Sequence, residues 1–330
     1  MNTLLKQLVE THGPSGFEDQ IRDLILSEIE PFADTISVDS MGNLIATKKG
    51  QGDGFKIMIA AHMDEIGLMV SHISKEGFLR FTNIGGVSPL ILTGNRVQFA
   101  NGTLGVVYCE GKMFPKEVQP LEKYYIDVGA ASKDDCPVQV GDAASFKREF
   151  VAQGDRLTSK SMDDRIGCYV AIETLKRLKN TPHDVYFVFS VQEEVGTRGA
   201  QAAANGILPD IGIAVDVTAT GDLPESRILA VDLGAGPAIK VKDKGMIAHR
   251  DLVRAMRSCA EKEEIPYQLE VFEFGSTDAR SIQISGPGSA AGCISIPCRY
   301  VHSQSETVDA KDVENAVKLL LSLLSGKIDL

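Results

Sequence analysis

The sequence predicts an α/β protein, an open sheet flanked by helices, interrupted by an inserted all-β module. Short apolar runs rich in β-branched and aromatic residues, Ile57 to Ala61, Val185 to Val191, Ile211 to Val215 and Cys293 to Ile296, read as buried strands. From Leu157 onward the order is helix, strand, helix, strand. From about residue 67 to 156 the helical period disappears, and short alternating runs split by Gly and Asn turns replace it.

Met1 to Glu10 reads as an amphipathic polar helix without the basic and apolar regions of a secretory signal. A second helix is expected to open at Ser15 or Gly16 and run to about Ile29, with Ile21, Leu24, Ile25 and Ile29 on its apolar face. Gly50 to Gly54 is a loop, lacking the spacing and following helix of a phosphate-binding fingerprint. Strands are expected at Phe78 to Thr82, Arg96 to Ala100 and Gly105 to Tyr108. Asn101-Gly102-Thr103 matches a glycosylation sequon, but Asn-Gly between two apolar runs is a hairpin turn signal. Ser161 and Asp164 resemble a capping box ahead of a helical stripe beginning Ile166, Val170, Leu175. A strongly apolar helix from about Ala310 to Leu324 is expected to pack on the sheet. These changes of pattern divide the chain into one α/β domain, residues 1–66 and 157–330, and a β insertion, residues 67–156.

With 330 residues, 43% of them hydrophobic, the chain can bury a sizeable core. A net charge of −11, with no assembled Lys and Arg cluster, argues against nucleic acid as a partner. No stretch approaches eighteen uninterrupted apolar residues, so no membrane span is expected. Six cysteines without C-x-x-C spacing or disulfide density read as buried thiols of a reducing compartment, and the expected location is cytoplasmic.

The apolar runs share a second property, in that each ends in residues able to bind a metal. His62 and Asp64 follow the first, Glu193 and Glu194 the second, Asp216 the third and His302 the fourth, with Asp163 at a helix start. Ligands of open α/β sheets gather at the carboxyl ends of parallel strands, which makes these residues candidates for one shared site. His62 and Asp64, two apart on an extended segment, face the same way, so the carboxylate can orient the imidazole. Taken singly, each has a plainer role: a core histidine, a helix cap, an acid complementing a helix dipole, or solvated loop acids. Adjacent Glu193 and Glu194 repel unless a cation lies between them, which suggests one as ligand and the other as proton carrier. Asp216 after a buried run needs a compensating charge. His12, His72, His183 and His249 lack a carboxylate companion at strand spacing and read as surface or structural.

Taken together, Pro14-Ser15-Gly16-Phe17-Glu18, Ala61-His62-Met63-Asp64-Glu65-Ile66-Gly67, Met162-Asp163-Asp164-Arg165, Gln192-Glu193-Glu194-Val195-Gly196, Val215-Asp216 and Arg299-Tyr300-Val301-His302-Ser303 resemble the M42 family of metallo-aminopeptidases over essentially the whole length. The resemblance implies a zinc-peptidase-like catalytic domain with helices on both sheet faces, and a barrel-like dimerisation domain as the insertion. It implies two divalent metals, with His62 and Asp216 on one, Glu194 and His302 on the other, and Asp163 bridging. Glu193 would be the general base and Asp64 would orient His62. A cis peptide between Asp163 and Asp164 is implied too, as is assembly into dimers that can close into a tetrahedral dodecamer. Ser161-Met162 and Thr197 depart from commoner family residues and remove no ligand. Two imidazoles and three carboxylates suit zinc or cobalt, with manganese possible.

The expected activity is therefore hydrolysis of the amino-terminal residue from peptides by a water activated between two ions. A related deacylase or carboxypeptidase would need an Arg or Lys cluster for a substrate carboxylate, for which Arg299 and Arg280 are the visible candidates. A catalytically silent metal-binding scaffold is the third possibility, and it leaves Glu193 without a purpose. Gly275-Ser276-Thr277-Asp278 is a candidate pocket wall; the preferred side chain is unassigned.

Overall fold

The computed structural model describes residues 2–111 and 117–330. Helices α1 (Asn2–Glu10) and α2 (Asp19–Ile29) precede strands β1 (Thr35–Val38), β2 (Leu44–Lys48) and β3 (Lys56–His62). The next six strands are β4 (Gly67–Ile73), β5 (Leu79–Ile84), β6 (Arg96–Phe99), β7 (Leu104–Cys109), β8 (Tyr124–Asp127) and β9 (Ala143–Phe146). Then follow β10 (Val151–Gln153), β11 (Arg156–Ser159), α3 (Met162–Arg177), β12 (Asp184–Ser190), α4 (Arg198–Ile207) and β13 (Ile211–Ala219). The chain closes with β14 (Ala238–Lys242), α5 (Arg250–Lys262), β15 (Gln268–Val271), α6 (Asp278–Gln283), β16 (Ala290–Arg299), β17 (Glu306–Asp309) and α7 (Ala310–Ser325).

One mixed sheet runs β1-β2-β12-β3-β13-β16-β17-β11-β10, with β14 and β15 branching from β16. Its centre is parallel, β12 with β3, β3 with β13 and β13 with β16. Both faces are covered, which is why these strands read as nearly continuous apolar runs. On β3, Ile57, Ile59 and Ala61 join the core formed with α1, α2, α3 and α7, while Met58 and Ala60 pack against Ala200 and Ala203 of α4 and Ile282 of α6. Helix α7 buries Val313, Ala316, Val317, Leu320 and Leu324, the spacing of one helical face. Asp309 caps it by accepting from the Lys311 amide at 2.8 Å.

The strands from β4 to β9 close into a separate barrel in the order β4-β5-β8-β7-β6-β9, around Leu68, Val70, Phe99, Val107, Ile126 and Phe146. The fold class is thus the expected one, an α/β sheet with helices on both faces plus an all-β barrel. Asn101-Gly102 is the expected turn, with Gly102 at φ +87° and its amide donating to the Phe99 carbonyl. The expected boundary at residue 156 falls within the hairpin of β10 and β11, which belongs to the large sheet. Among the described residues, no helix is long and apolar enough to cross a membrane. Of the expected first helix, Met1 lies outside the described residues.

Three local expectations are corrected. The helix expected from Ser15 or Gly16 begins at Asp19, because Gly16 sits at φ +87° and the Ser15 hydroxyl donates to Asp64 instead of capping. Ser161 forms no capping box, since it has a left-handed backbone and its hydroxyl donates to Glu65 at 2.6 Å. Asp164 takes the capping role itself, accepting from the Gly167 amide at 3.0 Å, and the backbone of Asp163 and Asp164 is not yet helical. Asp216 does not close its strand but sits inside β13, which continues to Ala219.

Candidate active site

The parallel register sets the site. Ser190 of β12 pairs with His62 at the end of β3, and Ala214 pairs with Ala60, so Asp216 stands level with His62 on the neighbouring strand. The turn after β12 brings in Glu193 and Glu194. The non-helical start of α3 brings Asp163, joined to Asp164 by a cis peptide, and the turn after β16 brings His302.

At the centre lies the Asp163 carboxylate. Its Oδ1 is 3.0 Å from His62 Nε2 and its Oδ2 is 3.3 Å from His302 Nε2, so one side chain spans two imidazoles from opposite ends of the sequence. Glu194 Oε2 lies 3.2 Å from His302 Nε2, and Glu193 Oε2 lies 4.0 Å from His62 Nε2. Asp64, fully buried, sits behind His62 with Oδ1 3.3 Å from Nδ1. The same carboxylate accepts from the Ser15 hydroxyl and from the main-chain amides of Glu193 and Glu194. It therefore fixes an imidazole and the acid turn together. His62, Asp164 and Asp216 place ligand atoms within 4.8 Å of one another, as do His62, Asp163 and Glu194. All seven expected site residues converge; Asp164, whose other oxygen accepts from the His62 amide, joins them without having been assigned a role.

The electrostatics show a surplus of buried negative charge. Burial, reinforced by neighbouring acids, raises the proton affinity of Asp164, Glu193, Glu194 and Asp216. Burial alone would lower the His302 pKa, but Glu194 and Asp163 push it up to about 12. Contact with the two imidazoles holds Asp163 low against its own burial. Glu194 Oε1 is buried with no hydrogen-bond partner among the described residues. Crowded acids, two imidazoles and an orphaned carboxylate oxygen form a donor set that divalent cations fit, since hard oxygen and borderline nitrogen ligands are both present and thiolates are not.

A cavity of about 320 Å³ opens beside these groups, walled by Val217, Ala219, Phe272, Phe274 and Val301, with Gly275, Ser276 and Thr277 on its rim. Asp278, expected beside them, does not line the cavity; it is buried and accepts from the Ser190 hydroxyl. Lys240 reaches the cavity but is paired with Glu270 at 2.7 Å. Arg299 is held by Asp222 at 2.6 Å. His12 and His183 are structural, bonded to Ser145 at 2.9 Å and to the Gly326 carbonyl at 2.8 Å; His72 and His249 are exposed.

The M42 glutamyl aminopeptidase profile matches residues 42–319. The chain belongs to the M42 aminopeptidase family. Within it, a putative aminopeptidase of Acetivibrio thermocellus is 50% identical, with 98% of each chain covered. An aminopeptidase structure from the archaeon Desulfurococcus kamchatkensis superposes with a TM-score of 0.93 at 43% identity, covering 98% of this chain and 94% of that one. The TET1 peptidase of Pyrococcus horikoshii, described as able to assemble into a tetrahedron or a large octahedral shell, superposes at 0.87 with 37% identity over 98% of both chains. This M42 chain is accordingly a peptide hydrolase of the aminopeptidase kind, in a family that implies divalent metals.

Several residues of the M42 site carried no sequence signal strong enough to single them out. Gly85 and Gly86, between β5 and β6, bring the barrel against the site, and a Cβ on Gly86 would lie 2.4 Å from His302 Nδ1. The adjacent glycines were the available clue. Glu18, which is buried, accepts from the amides of Gly16 and Gln192, holding the acid turn from behind.

Proposed function

We propose that this chain is a two-metal aminopeptidase in which His62 and Asp216 hold one divalent cation, Glu194 and His302 the other, and Asp163 spans both. The observation that carries it is the Asp163 carboxylate facing both imidazoles, one oxygen to each. When bound, such a pair of cations polarises the scissile carbonyl and makes water acidic enough to lose a proton near neutral pH. Glu193 accepts that proton and returns it to the leaving amine; burial, which raises its proton affinity, suits it to both transfers. Asp64 keeps the His62 ring in place. The neighbouring cavity takes the first side chain of the peptide. Zinc or cobalt, with manganese as a third choice, matches the donor set.

The barrel, residues 67–156 in the sequence division, is proposed as the oligomerising module, giving dimers able to build the shells described for the Pyrococcus horikoshii relative. Six free cysteines without a disulfide favour the cytoplasm. The carboxypeptidase or deacylase alternative is disfavoured because, of its two candidates for a substrate carboxylate, Arg299 is already engaged by Asp222 and Arg280 is exposed and outside the cavity lining.

The test is hydrolysis of aminoacyl anilides and their N-acetylated forms, with and without a chelator. Cleavage of free-amine substrates only, lost on chelation, is expected, as is loss of turnover with retained metal in Glu193→Gln. Equal cleavage of acetylated substrates, or near-normal turnover by Glu193→Gln, would overturn the assignment.

A further inference from the structure

Glu306, four residues after His302 and at the start of β17, is 2% exposed and, among the described residues, has no cation in hydrogen-bond contact. Its two oxygens divide between two main-chain amides. Oε1 accepts from the His302 N–H at 2.7 Å, and Oε2 accepts from the Asp163 N–H at 3.0 Å. Those residues lie 139 positions apart, the difference of 302 and 163, on different elements. Nothing else described bonds their backbones directly to each other.

We infer that Glu306 is a positioning residue that fixes the separation of Asp163 and His302, and so sets the binding geometry of the second metal. This rests on the two-metal reading above. The turn it anchors is intrinsically unfavourable, since Tyr300 and His302 are non-glycine residues at φ +62° and +60°. A buried acceptor on the His302 amide holds that conformation. Glu306 itself is immobilised by strand pairing, with its backbone opposite Ser159 of β11. Asp64 does the equivalent for the amides of Glu193 and Glu194. Two carboxylates that do not belong to the proposed ligand set thus hold four residues that carry the site.

Glutamine at 306 keeps the shape but turns one oxygen into a donor, which then meets an amide N–H. Aspartate keeps the charge but is one methylene shorter and cannot reach both amides at once. Either change therefore releases one anchor. The control is Asp312→Asn. Asp312 is likewise buried and accepts from two main-chain amides, Gly234 and Gly236, at 2.7 Å each, but that loop carries none of the proposed ligands.

Metal-free wild type, E306Q, E306D and D312N are titrated with Co2+, followed by isothermal calorimetry and by cobalt absorption, with thermal melting alongside. The wild type and D312N should take up two equivalents with equal affinities, D312N melting lower. Both Glu306 variants should keep one equivalent and bind the other about ten- to hundredfold more weakly. Two ions bound with wild-type affinities in E306Q and E306D, or an equal loss in D312N, would overturn the inference. A wild type that binds a single ion would instead remove the two-metal reading, and the inference with it.

Discussion

Asp64→Asn tests the wiring of the site without changing its shape. The wild-type carboxylate collects four donors. Oδ2 takes the Ser15 hydroxyl at 2.6 Å and the Glu194 amide at 3.2 Å, while Oδ1 takes the Glu193 amide at 3.0 Å and faces His62 Nδ1 at 3.3 Å. Asparagine retains one acceptor edge. If its NH2 occupies the Oδ2 edge, Ser15 can rotate and accept, leaving the Glu194 amide unpaired. If it occupies the other edge, the Glu193 amide loses its partner and the imidazole is left with only the Asp64 main-chain carbonyl at 3.2 Å, so the first arrangement prevails. The minimum loss is one hydrogen bond to a charged group at a buried position, roughly 1.5–3 kcal/mol. At about 1.4 kcal/mol per tenfold, the loss of positioning corresponds to about ten- to hundredfold in kcat/KM. The assay is kcat/KM on an aminoacyl anilide at saturating metal, with metal content and melting temperature measured on the same preparation. Activity within threefold of wild type would show that Asp64 does not hold the acid turn in a catalytically relevant way.

Two further expectations follow from neighbouring groups. Gly86→Ala places a methyl 2.4 Å from His302 Nδ1 and should displace that ring, lowering kcat/KM by about tenfold or more with the barrel intact; unchanged kinetics would mean that the loop yields and the ring does not. Burial, then the charge of Asp64, raises the Glu18 pKa to about 7 from 4.5. The folded state thus holds a proton that the unfolded chain sheds, and its stability contribution is fullest below about pH 4.5 and declines as pH rises to about 7. Relative to Glu18→Gln, the wild type should lose roughly 3 kcal/mol across that window, read from denaturant unfolding at a series of pH values. Parallel profiles for the two proteins would contradict the assignment.

What the sequence reveals follows the physics of burial. A strand covered on both faces must be apolar throughout, so Ile57 to Ala61 and Val185 to Val191 stand out, and any acid or histidine at their ends is conspicuous. That made His62, Asp64, Glu193 and Glu194 readable. Ser161 and Ser15 misled because local rules assign a hydroxyl to its own helix, whereas here each is drawn to a buried carboxylate far away in sequence, Glu65 and Asp64. Glu306 was invisible for a different reason. Its partners are main-chain amides, which every residue except proline possesses, so no side-chain pattern announces the contact. Gly86 depends on how the barrel docks, a long-range property that periodicity does not encode.

Among the joints between the barrel and the α/β domain, one lies at Glu65. Glu65 lies directly after Asp64 and two residues before the first barrel strand, and its backbone pairs with Pro14. Its side chain takes hydrogen bonds from the Gly13 amide at 3.0 Å and from Lys160 and Ser161 at 2.6 Å each. Barrel, amino-terminal loop and the run into Asp163 are therefore cross-tied at a single buried knot. Removing the Glu65 carboxylate would therefore strand the buried Lys160 ammonium and free the Ser161 hydroxyl together, loosening at one stroke the segment that leads into Asp163 and the approach to the barrel.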